Sequence, residues 1–337
     1  MPHAMAPIPL SVLDVVPVRN GSTATEALAE SLELARHVER LGYHRYWFAE
    51  HHGMPGIASS APAVLVGKVA AATSRLRVGS GGVMLPNHAP LAIAEQFGTL
   101  EALFPGRIDL GIGRAPGTDQ LTAAALRRNV RSGEDLAEQL ADLWSFFRGD
   151  FPPGHPFAAI HAVPARGHEP PVWILGSSDY GARLAAALAL PFAFAHHFSA
   201  RNTLPALALY RGGFRPSPTM AGPRSMIGAI VVVADTDEEA RRLALPNALA
   251  FLRLRRGSPG AYPTIEDAER HPWTPDEREF AETWLASNVV GGPASVRTQL
   301  AALLEATRVD ELMVLCAVPD AAARQRSYTL LRELHGA

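Results

Sequence analysis

The chain is predicted to fold as an α/β protein, a (β/α)8 TIM barrel with insertions. Short apolar runs alternate with amphipathic segments eight times along its 337 residues. No stretch of linker composition divides them, and polar or glycine residues recur just past the ends of the apolar runs. An open doubly wound sheet is not expected to keep this alternation through eight units, so residues 1–337 are read as one barrel domain.

Residues 9–16 (PLSVLDVV) form the first strand and residues 25–41 the first helix, with Leu28, Leu32, Ala35 and Val38 on one face. Gly42 stands where a helix-terminating glycine belongs. The second strand is 45–49 (RYWFA) with a helix at 61–72, and the third is 76–85 with a helix at 90–103. The fourth, 107–112, precedes a long helix over 132–147. A fifth strand at 171–175 is followed by a helix at 179–188, and a sixth at 191–195 by a helix near 200–210. The seventh, 225–234, leads into a helix at 237–245, and the eighth, 312–316, into a helix at 321–334. Two stretches interrupt the rhythm. Residues 151–169, rich in Pro, Gly and His, read as a long loop. Residues 255–286, between the seventh and eighth strands, carry Pro259, Pro263, Pro272 and Pro275 and read as a long loop, either an active-site lid or a surface or dimer-contact segment.

Composition narrows the function classes. A formal net charge of -2 offers no electrostatic attraction to nucleic acid or to an anionic membrane. No apolar stretch approaches the ~20 residues that span a bilayer. Residues 1–9 lack a basic segment followed by an apolar run, and Cys316 is the only cysteine, so a reducing cytoplasm is expected. Cys316 lies in the apolar run LMVLC and reads as a buried thiol.

The candidate chemistry lies at the strand ends. Asp14, Glu50-His51, Gly81-Gly82, Gly113-Arg114, Gly176-Ser177-Ser178 and His196-His197 each follow a predicted strand, and in a barrel those ends share one face. An acid and two imidazoles at Glu50-His51-His52, directly after RYWFA, are costly to place for packing alone. Three glycines in Gly79-Ser80-Gly81-Gly82 weaken a strand and imply unusual backbone, close approach of a flat ligand, or a bulge at the rim. Arg114 can hold a phosphate or carboxylate through its planar fork. Gly176-Ser177-Ser178 before a helix start makes a phosphate cradle or an ordinary serine cap. Gly291-Gly292-Pro293 competes as a phosphate site, in the position where barrels commonly have one.

Taken in order, four segments resemble the bacterial luciferase-like flavin-dependent monooxygenases, a superfamily of (β/α)8 enzymes. They are Phe48-Ala49-Glu50-His51-His52, then residues 77–86 (RVGSGGVMLP), residues 106–114 (GRIDLGIGR) and Trp173-Ile174-Leu175-Gly176-Ser177-Ser178. The nearest subgroup is the alkanal-monooxygenase-like, single-gene one. The resemblance implies that His51 is the catalytic histidine near the reactive edge of the flavin, with Glu50 orienting the site beside the cofactor. It implies a non-proline cis peptide at Gly81-Gly82 against the flavin. Arg114 then binds the FMN phosphate together with Gly176, Ser177, Ser178 and Tyr180, and the Gly291 loop becomes a helix start. Asp14, Met84, Asn87, His88 and His196 are candidate walls of the substrate pocket, and His52 is structural. Gly113 and His196 replace a cysteine and a tryptophan of the luciferase α subunit, so a long-chain aldehyde substrate and light emission do not follow.

The function implied is a two-component monooxygenase. Reduced FMN comes from a separate flavin reductase and, with O2, oxidises a small organic substrate; the protein is expected to be a homodimer. One alternative on the same fold is a hydride-transfer dehydrogenase or reductase using a deazaflavin coenzyme. From another class, a metal-dependent barrel hydrolase would draw on His51, His52, His196, His197 and Asp14, residue types suited to zinc. Adjacent histidines on a strand point to opposite faces, however, so no metal is expected.

Overall fold

The apolar runs become strands, each parallel to its neighbours. In the computed structural model, which describes residues 8–127 and 136–336, these are β1 (Leu10–Asp14), β2 (Arg45–Phe48), β3 (Arg77–Met84), β4 (Ile108–Gly113) and β5 (Val172–Gly176). They are followed by β6 (Phe192–Phe194), β7 (Ser225–Val233), β8 (Val289–Gly291) and β9 (Glu311–Leu315). Eight of the strands form a closed ring in the order β6-β5-β4-β3-β2-β1-β9-β7, with β7 pairing back onto β6. This is the predicted (β/α)8 barrel. The extra strand, β8, was not predicted. It pairs only with Val231–Val233 of β7, while Met226–Ile230 of the same strand pair with β9. A long, wholly buried β7 thus serves two partners in succession.

Helices α1 (Ala24–Arg40), α2 (Pro62–Ala72) and α3 (Pro90–Leu103) follow the first three strands. A short α4 (Gln120–Ala125) and then α5 (Leu136–Arg148) follow β4, and the first residues of the helix expected at 132–147 lie outside the described residues. After β5 comes α6 (Asp179–Ala187), and after β6 come α7 (His196–Ser199) and α8 (Thr203–Gly213). Then α9 (Asp237–Arg255), α10 (Ile265–Arg270) and α11 (Pro275–Ala286) lead to β8, α12 (Pro293–Thr307) precedes β9, and α13 (Ala321–Gly336) ends the chain.

Local signals explain most boundaries. A reciprocal capping box opens α1: Thr23 Oγ1 accepts from the Glu26 N–H, and the Glu26 carboxylate accepts from the Thr23 N–H. Gly42, at φ +78°, ends it as expected. The buried face of α1 is Ala27, Ser31, Leu34, Ala35 and Val38, whereas Leu28 is 38 % exposed; the predicted stripe was rotated by about one residue.

The expected loop at 255–286 is instead largely helical. Pro275 starts a helix rather than breaking one, occupying the first turn of α11, while Pro259, Pro263 and Pro272 lie between helices, and capping boxes at Thr264–Asp267 and Thr274–Glu277 open α10 and α11. The stretch before α10 is pinned to the barrel. The Tyr262 N–H donates to the Val18 carbonyl, its own carbonyl accepts from Asn20, and its hydroxyl donates to the Ala317 carbonyl at 2.9 Å. Likewise α9 runs ten residues past its predicted end at 245, with Pro246 buried inside it among Ala244, Ala248 and Leu249. Residues 151–169 contain neither helix nor strand, as expected.

Side chains alternate along each strand, so each faces either the helix layer or the lumen. Val12, Tyr46, Phe48 and Val78 join the large core between barrel and helices. Leu13, Trp47, Trp173, Met226 and Met313 fill the lumen, where Trp47 and Trp173 meet edge to face with centroids 5.6 Å apart. The lumen is therefore plugged, and ligand chemistry is confined to the loops beyond the strand ends.

Candidate active site

The glycines of β3 and β4 let the two strands come unusually close. A Cβ on Gly79 would lie 2.4 Å from the Asp109 carbonyl oxygen, and one on Gly111 would lie 2.2 Å from that of Ser80. On Gly82 it would meet the Gly111 oxygen at 2.7 Å, and on Gly81 the Leu13 side chain. No larger residue fits at these points. The Gly81–Gly82 peptide is cis, and the pairing register with β4 shifts just after it. Within the chain, then, these glycines serve strand approach and an irregularity at the barrel rim.

Glu50 is the most constrained group at the mouth. It is 1 % exposed, and four residues donate to its carboxylate. Oε1 accepts from His52 Nε2 at 2.9 Å, His88 Nε2 at 2.9 Å and Asn87 Nδ2 at 3.2 Å. Oε2 accepts from the Met84 N–H at 3.1 Å and again from His88 at 3.1 Å. Burial is the largest influence on Glu50 and favours its neutral form, but the bonds from His88, His52 and Met84 prevail and hold its pKa below the ordinary value. The ligand-type atoms of Glu50, His52 and His88 lie within 4.8 Å of one another, yet hydrogen bonding to a buried carboxylate accounts for that clustering.

His51 faces elsewhere. Its Nδ1 donates to the Gly117 carbonyl at 3.2 Å, and burial, partly offset by that bond, lowers its pKa. Gly117 (φ +66°) packs so closely on the Glu50 backbone that a Cβ would stand 2.7 Å from its carbonyl oxygen. The Thr118 hydroxyl donates to the His52 carbonyl at 2.6 Å. The segment after β4 is therefore fastened to the segment after β2.

On another side of the mouth, the Arg114 guanidinium lies 4.0 Å above the ring of Tyr180, in the first turn of α6. Ser177 and Ser178 immediately precede that helix and are exposed, and Ser178 makes no side-chain cap bond to it. Gly176 packs against Gly181, where a Cβ would be 3.4 Å from the Gly181 Cα. A guanidinium, two hydroxyls and the N–H groups of a helix start are donors of the kind that suit a phosphate group, with the Asp179 carboxylate in the first turn of α6 the one acid in that segment. The competing Gly291–Gly292 loop is already occupied. There Asp237 places one carboxylate oxygen 2.6 Å from the Gly292 N–H and the other 2.9 Å from the Ser295 hydroxyl at the start of α12.

Other predicted residues divide. Met84, Asn87 and His88 gather around Glu50 as described. Asp14 does not reach the mouth. It alternates with Leu13, so its carboxylate turns outward and accepts from Ser31 on α1, from the Tyr46 hydroxyl and from the Val16 N–H. The set proposed for a metal site therefore does not assemble around Asp14. His196 turns onto Thr203, with Nδ1 2.8 Å from its hydroxyl. Two contributors had no strong sequence signal. Gly117 was one glycine in an unassigned loop, and His197 had entered as a strand-end residue and a metal-ligand candidate, without a role of its own at the pocket. The ring of His197 lies against Gly228 of β7, with Nδ1 2.8 Å from that carbonyl. A hollow of about 490 Å³ lined by Leu10, Glu39, Tyr43, His44, Arg75 and Arg332 lies at the opposite, N-terminal end of the barrel, and no site residue borders it.

These groups give stability a defined pH dependence. Burial holds His51 and His196 below 6.5 and takes His197 down to about 4. Each of these binds its proton later in the folded chain than in the unfolded one, so stability falls as pH drops below 6.5, and His197 contributes on the order of 1 kcal/mol per pH unit down to about 4. Glu50 adds to the loss only below about 4.5. Thermal melts between pH 7 and 4.5 should show this decline, and His197→Asn should make it shallower; identical slopes for the two proteins would contradict the assignment.

Comparison with known proteins agrees with this architecture. The family profile described as "Luciferase-like monooxygenase" matches residues 8–311. The uncharacterised protein YvbT of Bacillus subtilis is 50 % identical over 326 residues, covering 96 % of this chain and 96 % of its own. An Escherichia coli K12 protein named luciferase-like monooxygenase is 46 % identical over 329 residues, covering 97 % of each chain. The crystal structure of apo-MsnO8 superimposes with a TM-score of 0.88 at 39 % identity, covering 98 % of both chains. With a profile match across most of its length and relatives this similar along nearly all of it, the chain belongs to the luciferase-like monooxygenase family.

Proposed function

We propose that this protein is the oxygenating component of a two-component flavin monooxygenase, taking reduced FMN from a separate reductase and using O2 to oxidise a small organic substrate. The observation that carries the reading is the division of the mouth into two parts. One is the donor-rich cradle of Arg114, Ser177, Ser178 and the backbone N–H groups at the start of α6. The other is the buried Glu50 carboxylate with half-buried imidazoles around the end of β2. A phosphorylated cofactor needs both: an anchor for its phosphate, and proton-handling groups at its reactive part.

When bound, the reduced flavin supplies the electrons that activate O2. The chain's own residues do the rest. Arg114, with Ser177, Ser178 and the Gly176–Tyr180 segment, holds the phosphate. Gly81 and Gly82 flank the ring. His51, whose Nδ1 proton is committed to Gly117, offers Nε2 as a proton acceptor, and its lowered pKa keeps it unprotonated at neutral pH. Glu50 positions His52, His88 and Asn87 as walls of the pocket, with Met84 and His196 completing it.

We also assign the protein as a homodimer. Helix α2 (PAVLVGKVAAA) is apolar around most of its circumference, with Lys68 its one charge, and it leaves Val64 71 % exposed; on α3, Leu103 is 64 % exposed. An apolar face of this kind is normally covered.

Two measurements test these assignments. Arg114→Ala should weaken FMN binding tenfold or more while leaving riboflavin, which lacks the phosphate, unchanged, and His51→Ala should bind FMN about as well as the native chain. An equal loss for riboflavin would contradict the phosphate role. Light scattering should give a dimer mass for the native protein and a monomer mass for Val64→Asp; a native monomer would refute the dimer.

A further inference from the structure

Among the described residues, His197 is the half-buried imidazole at the mouth that the proposed function leaves unused. It is the second residue of α7, just after β6, and its side chain folds back over β7. The 2.8 Å contact from Nδ1 to the Gly228 carbonyl decides its tautomer. A carbonyl only accepts, so Nδ1 carries the proton and Nε2 keeps its lone pair. Gly228 is what admits the ring, since a Cβ there would lie 3.1 Å from its Cε1 and Nδ1. The same reasoning applies to His51, whose Nδ1 is committed to Gly117. In the eight-strand ring, β2 and β6 stand opposite each other, so the two imidazoles enter the mouth from facing sides.

We propose that His197 is the substrate-facing contact of this pocket, a fixed hydrogen-bond acceptor at Nε2 that selects substrates carrying an acidic hydroxyl, thiol or N–H group over their alkylated counterparts. The proposal rests on the mouth being the active site and adds a substrate class to it. Burial, with His196 and His51 as the neighbouring titratable groups, keeps His197 neutral well below neutral pH, so its acceptor character persists wherever the enzyme works. Any polar group that enters the mouth beside Nε2 must therefore bring its own proton or leave the acceptor unpaired.

Phenol and anisole, alike in shape and different by one donor, are the probes. Binding of each is measured to the FMN-reconstituted protein and to the FMN-free chain, for the native sequence, His197→Asn and His197→Gln. The asparagine keeps a donor for Gly228 and places nothing at Nε2, whereas the glutamine amide reaches that position. The expected result is a preference for phenol of about tenfold, reduced to within about threefold in His197→Asn and recovered in His197→Gln. Nitrogen-15 NMR of the native protein should show His197 neutral with its proton on Nδ1 from pH 5 to 8. Equal or undetectable binding of the pair, a preference that survives His197→Asn, or a proton on Nε2 would overturn the proposal. Failure of FMN to bind, with the phenol preference and its loss in His197→Asn intact on the FMN-free chain, would overturn the flavin reading and leave the role of His197 supported.

Discussion

Glu50 is an ionised carboxylate at the end of β2, closed off from solvent, and a charge in that position must be surrounded by donors. Those donors come from two separate stretches of chain, after β2 and at the end of β3. His52 lies just beyond β2, the Met84 N–H ends β3, and Asn87 and His88 lie in and after the 3₁₀ turn that follows it. Asn87 also donates to the Pro116 carbonyl at 3.0 Å, and His51 donates to Gly117, so the segment after β4 is drawn in too. One buried charge thereby sets the relative placement of three strand ends. The placement of His52, Asn87 and His88 around the mouth follows from satisfying it.

A second buried charge network fixes what lies beneath. Arg45, 3 % exposed, donates to Asp109 at 2.6 Å and to Glu311 at 2.8 Å, joining β2 to β4 and β9 through the barrel interior. Arg77 adds a second cation to Asp109, Ser11 donates to Glu311 at 2.5 Å, and the Trp47 indole N–H donates to Asp109 at 3.1 Å. Such a network gains little net stability over an apolar core, but breaking it leaves charges stranded, so it specifies one arrangement of strands. Above it, Trp47 and Trp173 close the lumen. Floor and mouth are thus separated by packed side chains, and Gly79 and Gly81 of β3 leave the space that Trp47 occupies.

Much of this was legible in the amino-acid sequence because it rests on local pattern. Apolar runs of four to nine residues, Gly42 after a helical stripe, and Thr23 three residues before Glu26 each carry their own physics, and the barrel follows from their repetition. The Arg114 and Ser177 segments were legible for the same reason, since donors at a helix start read directly. What escaped depended on distant partners. The three residues of β8 become a strand only because β7 is long enough to offer a second edge. The helix of α9 was ended too early, since Pro246 is tolerated in its buried face, and the proline signal at α11 was misread, since Pro275 begins that helix. Asp14 was assigned by its position at a strand end, but pleat parity, which the strand count alone does not reveal, sends it to α1. His197 was named at a strand end, but its partner could not be read, because its tautomer is set by Gly228, thirty-one residues away.

The most direct test of the central claim is an anaerobic titration of the purified protein with reduced FMN and, in parallel, with a reduced deazaflavin coenzyme. The proposed anchoring of the FMN phosphate at Arg114, with His51 beside the ring, predicts saturable binding of reduced FMN at least tenfold tighter than of the deazaflavin. Selective binding of the deazaflavin would move the protein to hydride transfer without O2, and binding of neither would leave the barrel and its charge networks standing while contradicting the proposed activity.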